Sequence, residues 1–311
     1  MLTNATESHI LNAIKSHMKI ALAGKGGTGK TTVTTLITSS LAIDSKVLAF
    51  DIDSNENLAQ SLGFSFKDIS KLERIRNYHK EIFDHTKTDY NWQTRKYTPQ
   101  AEANYYFFKN GKMDPFLKKV TITKGNISVG HLGTVSEEKR GIENMCESYT
   151  LMRIFLNHLN EDSKDFVIGD LAAGDDLLTR ATVMNMDEVI LVVEPTSKNL
   201  RVAKEIIVSL KKLLFPRIYI VINKSFEESD IELVSKEISI SKEFISRLPF
   251  SEELIKLDNK DSLTYENAPE EIRKEIKDLL EKITLNKIDD KKLIKRAANI
   301  DERLFSDNPT I

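Results

Sequence analysis

A chain of 311 residues with a single cysteine, Cys146, can form no intramolecular disulfide. That scarcity fits a reducing, cytoplasmic compartment. Charge of one sign is also lacking, since 45 Lys and Arg face 47 Asp and Glu for a formal net charge of -2. Such balance gives no general reason to expect nucleic acid or an anionic membrane as a partner. No apolar run approaches the roughly 20 residues that span a bilayer. The first residues, 1–17, lack the basic start, apolar centre and small-residue cleavage site of a secretory leader. There is no internal repeat and no low-complexity tract. What is present is 40% hydrophobic residues, enough for a substantial core in one large α/β domain or two modest ones.

Short apolar runs at 18–24 (MKIALAG), 46–50, 126–132, 165–171, 188–194, 217–223 and 245–250 read as buried strands. Helical spacing lies between most of them, at 31–41, 148–159 and 198–214. Strands alternating with helices predict an α/β fold, a mostly parallel twisted sheet with helices on both faces. Ligands of such sheets bind at the carboxyl ends of the strands. The segment 74–119 differs, being charged, rich in aromatics and without a clean strand signal. It reads as a helical or irregular insertion over the active face, either surface helices with a small aromatic core or a partner-docking surface. The expected organisation is one domain over 18–285, an N-terminal extension over 1–17 and a charged tail over 286–311.

Gly24-Lys25-Gly26-Gly27-Thr28-Gly29-Lys30-Thr31 satisfies the P-loop pattern of glycine, four residues, then Gly-Lys-Thr. Glycines let successive N–H groups turn inward toward phosphate oxygens, and the following helix adds its positive end. The cradle runs over 25–32, so Gly26, Gly27, Thr28, Gly29, Lys30, Thr31 and Thr32 are its nucleotide-binding candidates. Lys30 is expected on the β- and γ-phosphates and the Thr31 hydroxyl on Mg²⁺. Lys25 places a second cation beside the cradle, or is an incidental surface lysine.

Two acidic strand ends follow. LAFDIDSNENL at 48–58 carries Asp51 and Asp53, and FVIGDLAAG at 166–174 carries Asp170. Carboxylates there can hold Mg²⁺ or its waters and orient an attacking water. The expected roles are Asp53 for the water, Asp51 for the outer shell of the metal and Asp170 for the metal through water. The structural alternative in each case is an ordinary acid capping a turn. IVINK at 220–224 ends a strand in Asn223, whose amide offers donor and acceptor together.

KGGTGKTT, with its first lysine, resembles the deviant P-loop of the MinD/ParA/nitrogenase-iron-protein group of ATPases. The resemblance implies ATP or ADP as ligand, Mg²⁺, and a homodimer sandwiching two ATP molecules, Lys25 reaching the partner's phosphates. It makes 51–58 switch I, 172–174 switch II, Asn223 the reader of the adenine edge, and Leu248-Pro249-Phe250 the loop lining the other side of the base. Within that group, AGKGGTGKTT, the LGTV at 132–135, GDLAAGDDLLTR at 169–180 and VEPT at 193–196 resemble the CooC-like ATPases, which help insert nickel into carbon monoxide dehydrogenase. The resemblance covers about 19–260 and implies a metalloenzyme client. CooC-like proteins usually carry Cys-x-Cys where this chain has Asn144-Met145-Cys146, the second cysteine kept and the first missing. Two thiolates per dimer, with Glu147, His131 or His158, are a candidate Ni or Zn site; an inert free cysteine is the alternative.

Two further readings compete with the maturation factor. One is a positioning or partition ATPase acting on membrane or DNA, for which the apolar stripe of 291–305 is the only support. The other is a non-enzymatic nucleotide sensor, which Lys30, Asp53 and Asp170 disfavour.

Overall fold

A computed structural model describes residues 18–89, 99, 102–110, 112–134, 145–161, 165–173, 182–215, 217–285 and 298. The expectations for 1–17 and for the stripe in the tail lie outside the described residues, apart from the single position 298. The chain begins with β1 (Met18–Gly24), α1 (Lys30–Leu41) and β2 (Lys46–Ile52), then runs through α2 (His79–Thr86), β3 (Tyr106–Lys109), β4 (Lys112–Met113) and α3 (Pro115–Lys119). It continues with β5 (Thr121–Lys124), β6 (Ile127–His131), α4 (Cys146–Asn157), β7 (Leu159–Glu161) and β8 (Asp165–Leu171). The last part holds β9 (Glu188–Val193), α5 (Ser197–Lys212), β10 (Tyr219–Ser225), α6 (Asp230–Ile238), β11 (Ile245–Pro249), α7 (Glu252–Asp258) and α8 (Glu270–Leu285).

Eight strands form the main sheet in the order β11-β10-β9-β1-β8-β2-β6-β5. Every pairing is parallel except β5 against β6. The sheet is mostly parallel with helices on both faces, as the alternation of apolar runs predicts. Side chains of a strand alternate between faces, and the core divides accordingly. Ile20, Leu22, Val47, Ala49, Phe166, Ile168, Ile190 and Val192 pack with Val33, Leu36 and Ile37 of α1 and Ile272, Ile276 and Leu279 of α8. Their neighbours Ala21, Ala23, Leu48, Phe50, Val167, Val189 and Leu191 pack with α4, α5 and the segment after 74. α5 explains its own burial, because Leu200, Ala203, Ile206, Ile207 and Leu210 recur at helical spacing on one side.

The aromatic segment corrects one expectation. It is not strandless, since β3 pairs antiparallel with β4 and parallel with β7 in a separate three-stranded sheet. Along β3 burial alternates, with Tyr106 and Phe108 inside and Phe107 outside. Four residues are too few for that alternation to stand out in sequence. Residues 90–98, 100, 101 and 111 of the segment lie outside the described residues; the rest runs from the carboxyl ends to the far side of the sheet. That part starts at Arg74 beside His131 and reaches the opposite edge, where the Asn110 amide donates to Asp165 at the first position of β8, 2.7 Å away. The reason is aromatic burial along the flank. Tyr106 and Phe116 lie 4.9 Å apart, both rings lie within 5.8 Å of Phe155 on α4, and Phe155 meets Phe50 of β2 edge-on at 5.5 Å. Each such buried ring contributes about 1.5–3 kcal/mol over an exposed one.

Candidate nucleotide site

The loop between β1 and α1 sits where the central strand ends. Gly29 caps α1 at φ +85°, and a Cβ there would lie 2.2 Å from the Asn223 amide nitrogen. Glycine is therefore required twice, for the left-handed backbone and for the close approach. The Thr28 hydroxyl donates to the Lys25 carbonyl at 2.9 Å, closing the loop on itself. Lys30 is buried and its Nζ lies 3.5 Å from the same carbonyl, so the cation points back into the loop. Lys25 itself is half-buried at the loop's rim, with Gly26 and Gly27 exposed beside it.

Parallel pairing sets Asp51 of β2 directly opposite Asp170 of β8 in register. The Thr31 hydroxyl donates to Asp170 Oδ2 at 2.7 Å and the Thr34 hydroxyl to Oδ1 at 3.1 Å. Burial pushes Asp170 up to about 6, against the pull of those hydroxyls and of Lys30. Burial, then the charge of Asp170, pushes Asp51 up to about 8. Two neighbouring buried carboxylates, one of them bonded to Thr31 of the P-loop, are short of positive charge, which suits a hard divalent cation with oxygen ligands.

Asp51 also has a task the sequence did not reveal. Its Oδ1 accepts the Asp53 amide at 3.0 Å and its Oδ2 the Leu58 amide at 2.8 Å, so it braces both ends of the following loop. Asp53 stands half-buried in that loop, its Oδ1 accepting from the Asn55 amide at 3.1 Å. Of the second switch only Ala172 and Ala173 are described; Ala173 Cβ would meet a Cβ on Gly26 at 3.5 Å. Gly174, Asp175 and Asp176 lie outside the described residues.

Asn223 is buried at the end of β10 and its amide donates to the Thr28 carbonyl at 2.8 Å. The next residue, Lys224, bonds the Gly27 carbonyl at 2.9 Å and Glu194 at 2.6 Å. Sequence reading quoted both residues, in IVINK and VEPT, without giving either a role. Pairing across separate strands is what joins them to the loop. Thr32 is tied to Asp258 at the end of α7 by a 2.7 Å bond, another partner 226 residues away. Pro249 ends β11 opposite Ser225, and the Phe250 ring stacks on Phe226 with centroids 5.0 Å apart.

Two of the three partners considered for Cys146 lie away from it or are engaged elsewhere. Cys146 opens α4, whereas His158 follows the helix at its far end, about 18 Å along the axis at 1.5 Å per residue. His131 is committed to Glu56 and to the Leu72 carbonyl. Among the described residues no group of three His, Cys, Asp or Glu side chains is arranged to hold a metal. Among the described residues of one chain the donor set does not fit a transition-metal centre. No helix among the described residues is long and apolar enough to cross a membrane.

A glycine-rich loop on the central strand, a buried lysine and threonine, and two acids on neighbouring strands define a P-loop nucleotide-binding protein. The chain belongs to the MinD/ParA type of P-loop ATPase, since residues 19–265 match the CobQ/CobB/MinD/ParA nucleotide binding domain. It is similar to an ATP-binding protein of Methanocaldococcus jannaschii, 31% identical over 77% of this chain and 88% of the relative. It is also similar to the carbon monoxide dehydrogenase accessory protein CooC of Rhodospirillum rubrum, 28% identical over 61% of this chain and 67% of that protein. Among solved structures the cell division ATPase MinD of Pyrococcus furiosus shares the fold, with a TM-score of 0.59 at 20% identity over 86% of this chain and 99% of that one.

Proposed function

We propose that this chain is an ATP-driven switch that closes as a homodimer around ATP and assists the maturation of a metalloenzyme. The observation that carries the first half is the P-loop with Lys25 at its rim, half-buried beside Gly26 and Gly27. From there its long side chain would extend toward the phosphates of a second chain in the dimer. In the hydrolysis step water attacks the γ-phosphorus, the bond to the β-phosphate oxygen breaks, and ADP and phosphate leave. Lys30 and the loop amides neutralise the β- and γ-oxygens. Thr31 and Asp170 would hold Mg²⁺, with Asp51 in its outer shell, and that ion would spread the developing charge over the phosphates. Asp53 orients the water. The Asn223 amide gives one of its two N–H groups to the Thr28 carbonyl, which leaves the other N–H and Oδ1 as donor and acceptor for the adenine edge.

The similarity to CooC supports the client half of the reading. The metal is cargo of that client here. Size-exclusion chromatography with light scattering, in Mg²⁺ with ATP or with ADP, tests the switch. A dimer with ATP and a monomer or looser dimer with ADP are expected. Lys25→Ala is expected to keep ATP binding and lose both the ATP-dependent dimer and turnover; unaffected turnover sinks the cross-dimer role. Pull-down with an apo metalloenzyme from the same cell, followed by metal analysis of that enzyme, tests the client half.

A further inference from the structure

The loop that carries Asp53 contains a residue in an unfavourable place. Glu56 has φ +52°, in the left-handed region that a long side chain adopts at a cost of about 1–2 kcal/mol. Asn55 and Asn57 on either side tolerate that region better, and glycine would tolerate it best. A glutamate held there needs compensation, and its side chain supplies it.

Its carboxylate is gripped from three directions. Arg74 approaches with Nε 3.1 Å from Oε1 and Nη2 3.2 Å from Oε2. His131 Nδ1 lies 3.2 Å from Oε2 while Nε2 donates to the Leu72 carbonyl at 3.3 Å. The Thr134 amide donates to Oε1 at 2.9 Å. These partners hold Glu56 well below the usual carboxylate range, down to about 2, despite its partial burial. Arg74 can reach in only because residue 133 is glycine: a Cβ there would lie 2.7 Å from Arg74 Cβ. The segment around Arg74 is anchored in turn, the Arg76 amide donating to the Leu132 carbonyl at 3.0 Å.

The switch loop is thus held at both ends by Asp51, through the Asp53 and Leu58 amides, and at its middle by Glu56. We infer that Glu56 is a positioning residue for hydrolysis: the Arg74, His131 and Thr134 contacts to its carboxylate fix the loop that aims Asp53 at the γ-phosphate. The inference rests on the ATPase reading of the site. The Glu56 carboxylate is engaged with Arg74, His131 and Thr134, none of which belongs to the P-loop. Its loss therefore leaves ATP binding in place and weakens the step in which water must be aimed.

Three variants test it, Glu56→Gln, Glu56→Gly and Arg74→Met. Equilibrium binding of ATP with Mg²⁺, kcat, KM and hydrogen exchange of peptides covering 53–58 and 132–134 are measured on each, with melting to confirm folding. The expected result is ATP affinity and KM within about threefold of the parent, kcat lower by about tenfold or more, and faster exchange in both peptides. Glu56→Gly removes the backbone strain, so it should melt no lower than Glu56→Gln and yet lose the same turnover. The double variant Glu56→Gln/Arg74→Met should lose no more than the worse single one, since both break one contact. Unchanged kcat and exchange in folded Glu56 variants overturn the inference. A fall in affinity equal to the fall in kcat overturns it as well, because it marks a general loss of the site. Absence of turnover in the parent protein with intact ATP binding is a different failure, that of the ATPase reading itself.

Discussion

The carboxyl edge of the sheet and its aromatic flank are built on opposite terms. At the edge, polar groups are buried against their preference: Lys30, Asp51, Asp170 and Asn223 are all removed from solvent, and each is held by backbone or hydroxyl partners. Along the flank Phe50, Phe155, Phe116 and Tyr106 interlock through ring contacts. The flank contributes stability. The edge gives some of it up for a site whose charges are complete only with a bound cation and phosphates. Mutations on the two sides should therefore separate activity from stability.

The largest effect is expected at the edge. Lys30→Ala should lower kcat/KM for ATP at least about a hundredfold, with a melting temperature close to that of the parent. A variant that keeps turnover would remove Lys30 from the phosphates. On the flank, Phe155→Ala should cost about 3–5 kcal/mol in urea unfolding, because the ring touches β2, β3 and α3 at once. ATP affinity of the fraction that stays folded should hardly move; a matching loss of affinity would show the flank to be part of the site.

Asp170→Asn should sharpen the contrast by moving the two quantities in opposite directions. With Asp170 raised by burial and Asp51 raised by burial and by Asp170, the nucleotide-free protein carries a cost at neutral pH. Both folded values lie above the ordinary carboxylate value, so the stability these groups lend is full at low pH and is lost as pH rises toward about 6 and about 8. The amide should therefore raise the melting temperature of the nucleotide-free protein at pH 7 by a few degrees while ending Mg²⁺-dependent turnover. A lower melting temperature would show that its bonds to Thr31 and Thr34 outweigh the buried charge.

The smallest effect belongs to Glu56, with the reverse sign. Its folded value lies below the ordinary one, so its contribution is present above about 4.5 and lost as pH falls toward about 2. Urea midpoints between pH 5 and pH 3 should fall less steeply in Glu56→Gln than in the parent. Parallel curves would mean that the Arg74 and His131 contacts carry no net stabilisation.

Much of the edge was legible because its chemistry is local. The P-loop spells its own turn, and the apolar runs before Lys25, Asp51, Asp170 and Asn223 announce strands whose ends must meet. The flank was less legible. β3 and β4 are too short to show a period, and β3 pairs with β7, which lies about fifty residues further along the chain. Its aromatic content was visible, but not the fact that it closes on α4 and the opposite edge of the sheet.

By itself the sequence determined the class of fold, the phosphate loop, the acidic strand ends and the family to which the chain belongs, because backbone conformation and alternation depend on near neighbours. Only the tertiary structure decided that Asp51 braces a loop as well as facing Asp170, that Asn223 and Lys224 grip the P-loop carbonyls, and that Glu56 meets Arg74, His131 and Thr134. Apart from the bonds of Asp51 to the Asp53 and Leu58 amides, those contacts join residues 18 to 197 positions apart, and such a hydrogen bond is set by where two strand ends arrive in space, which no local pattern records.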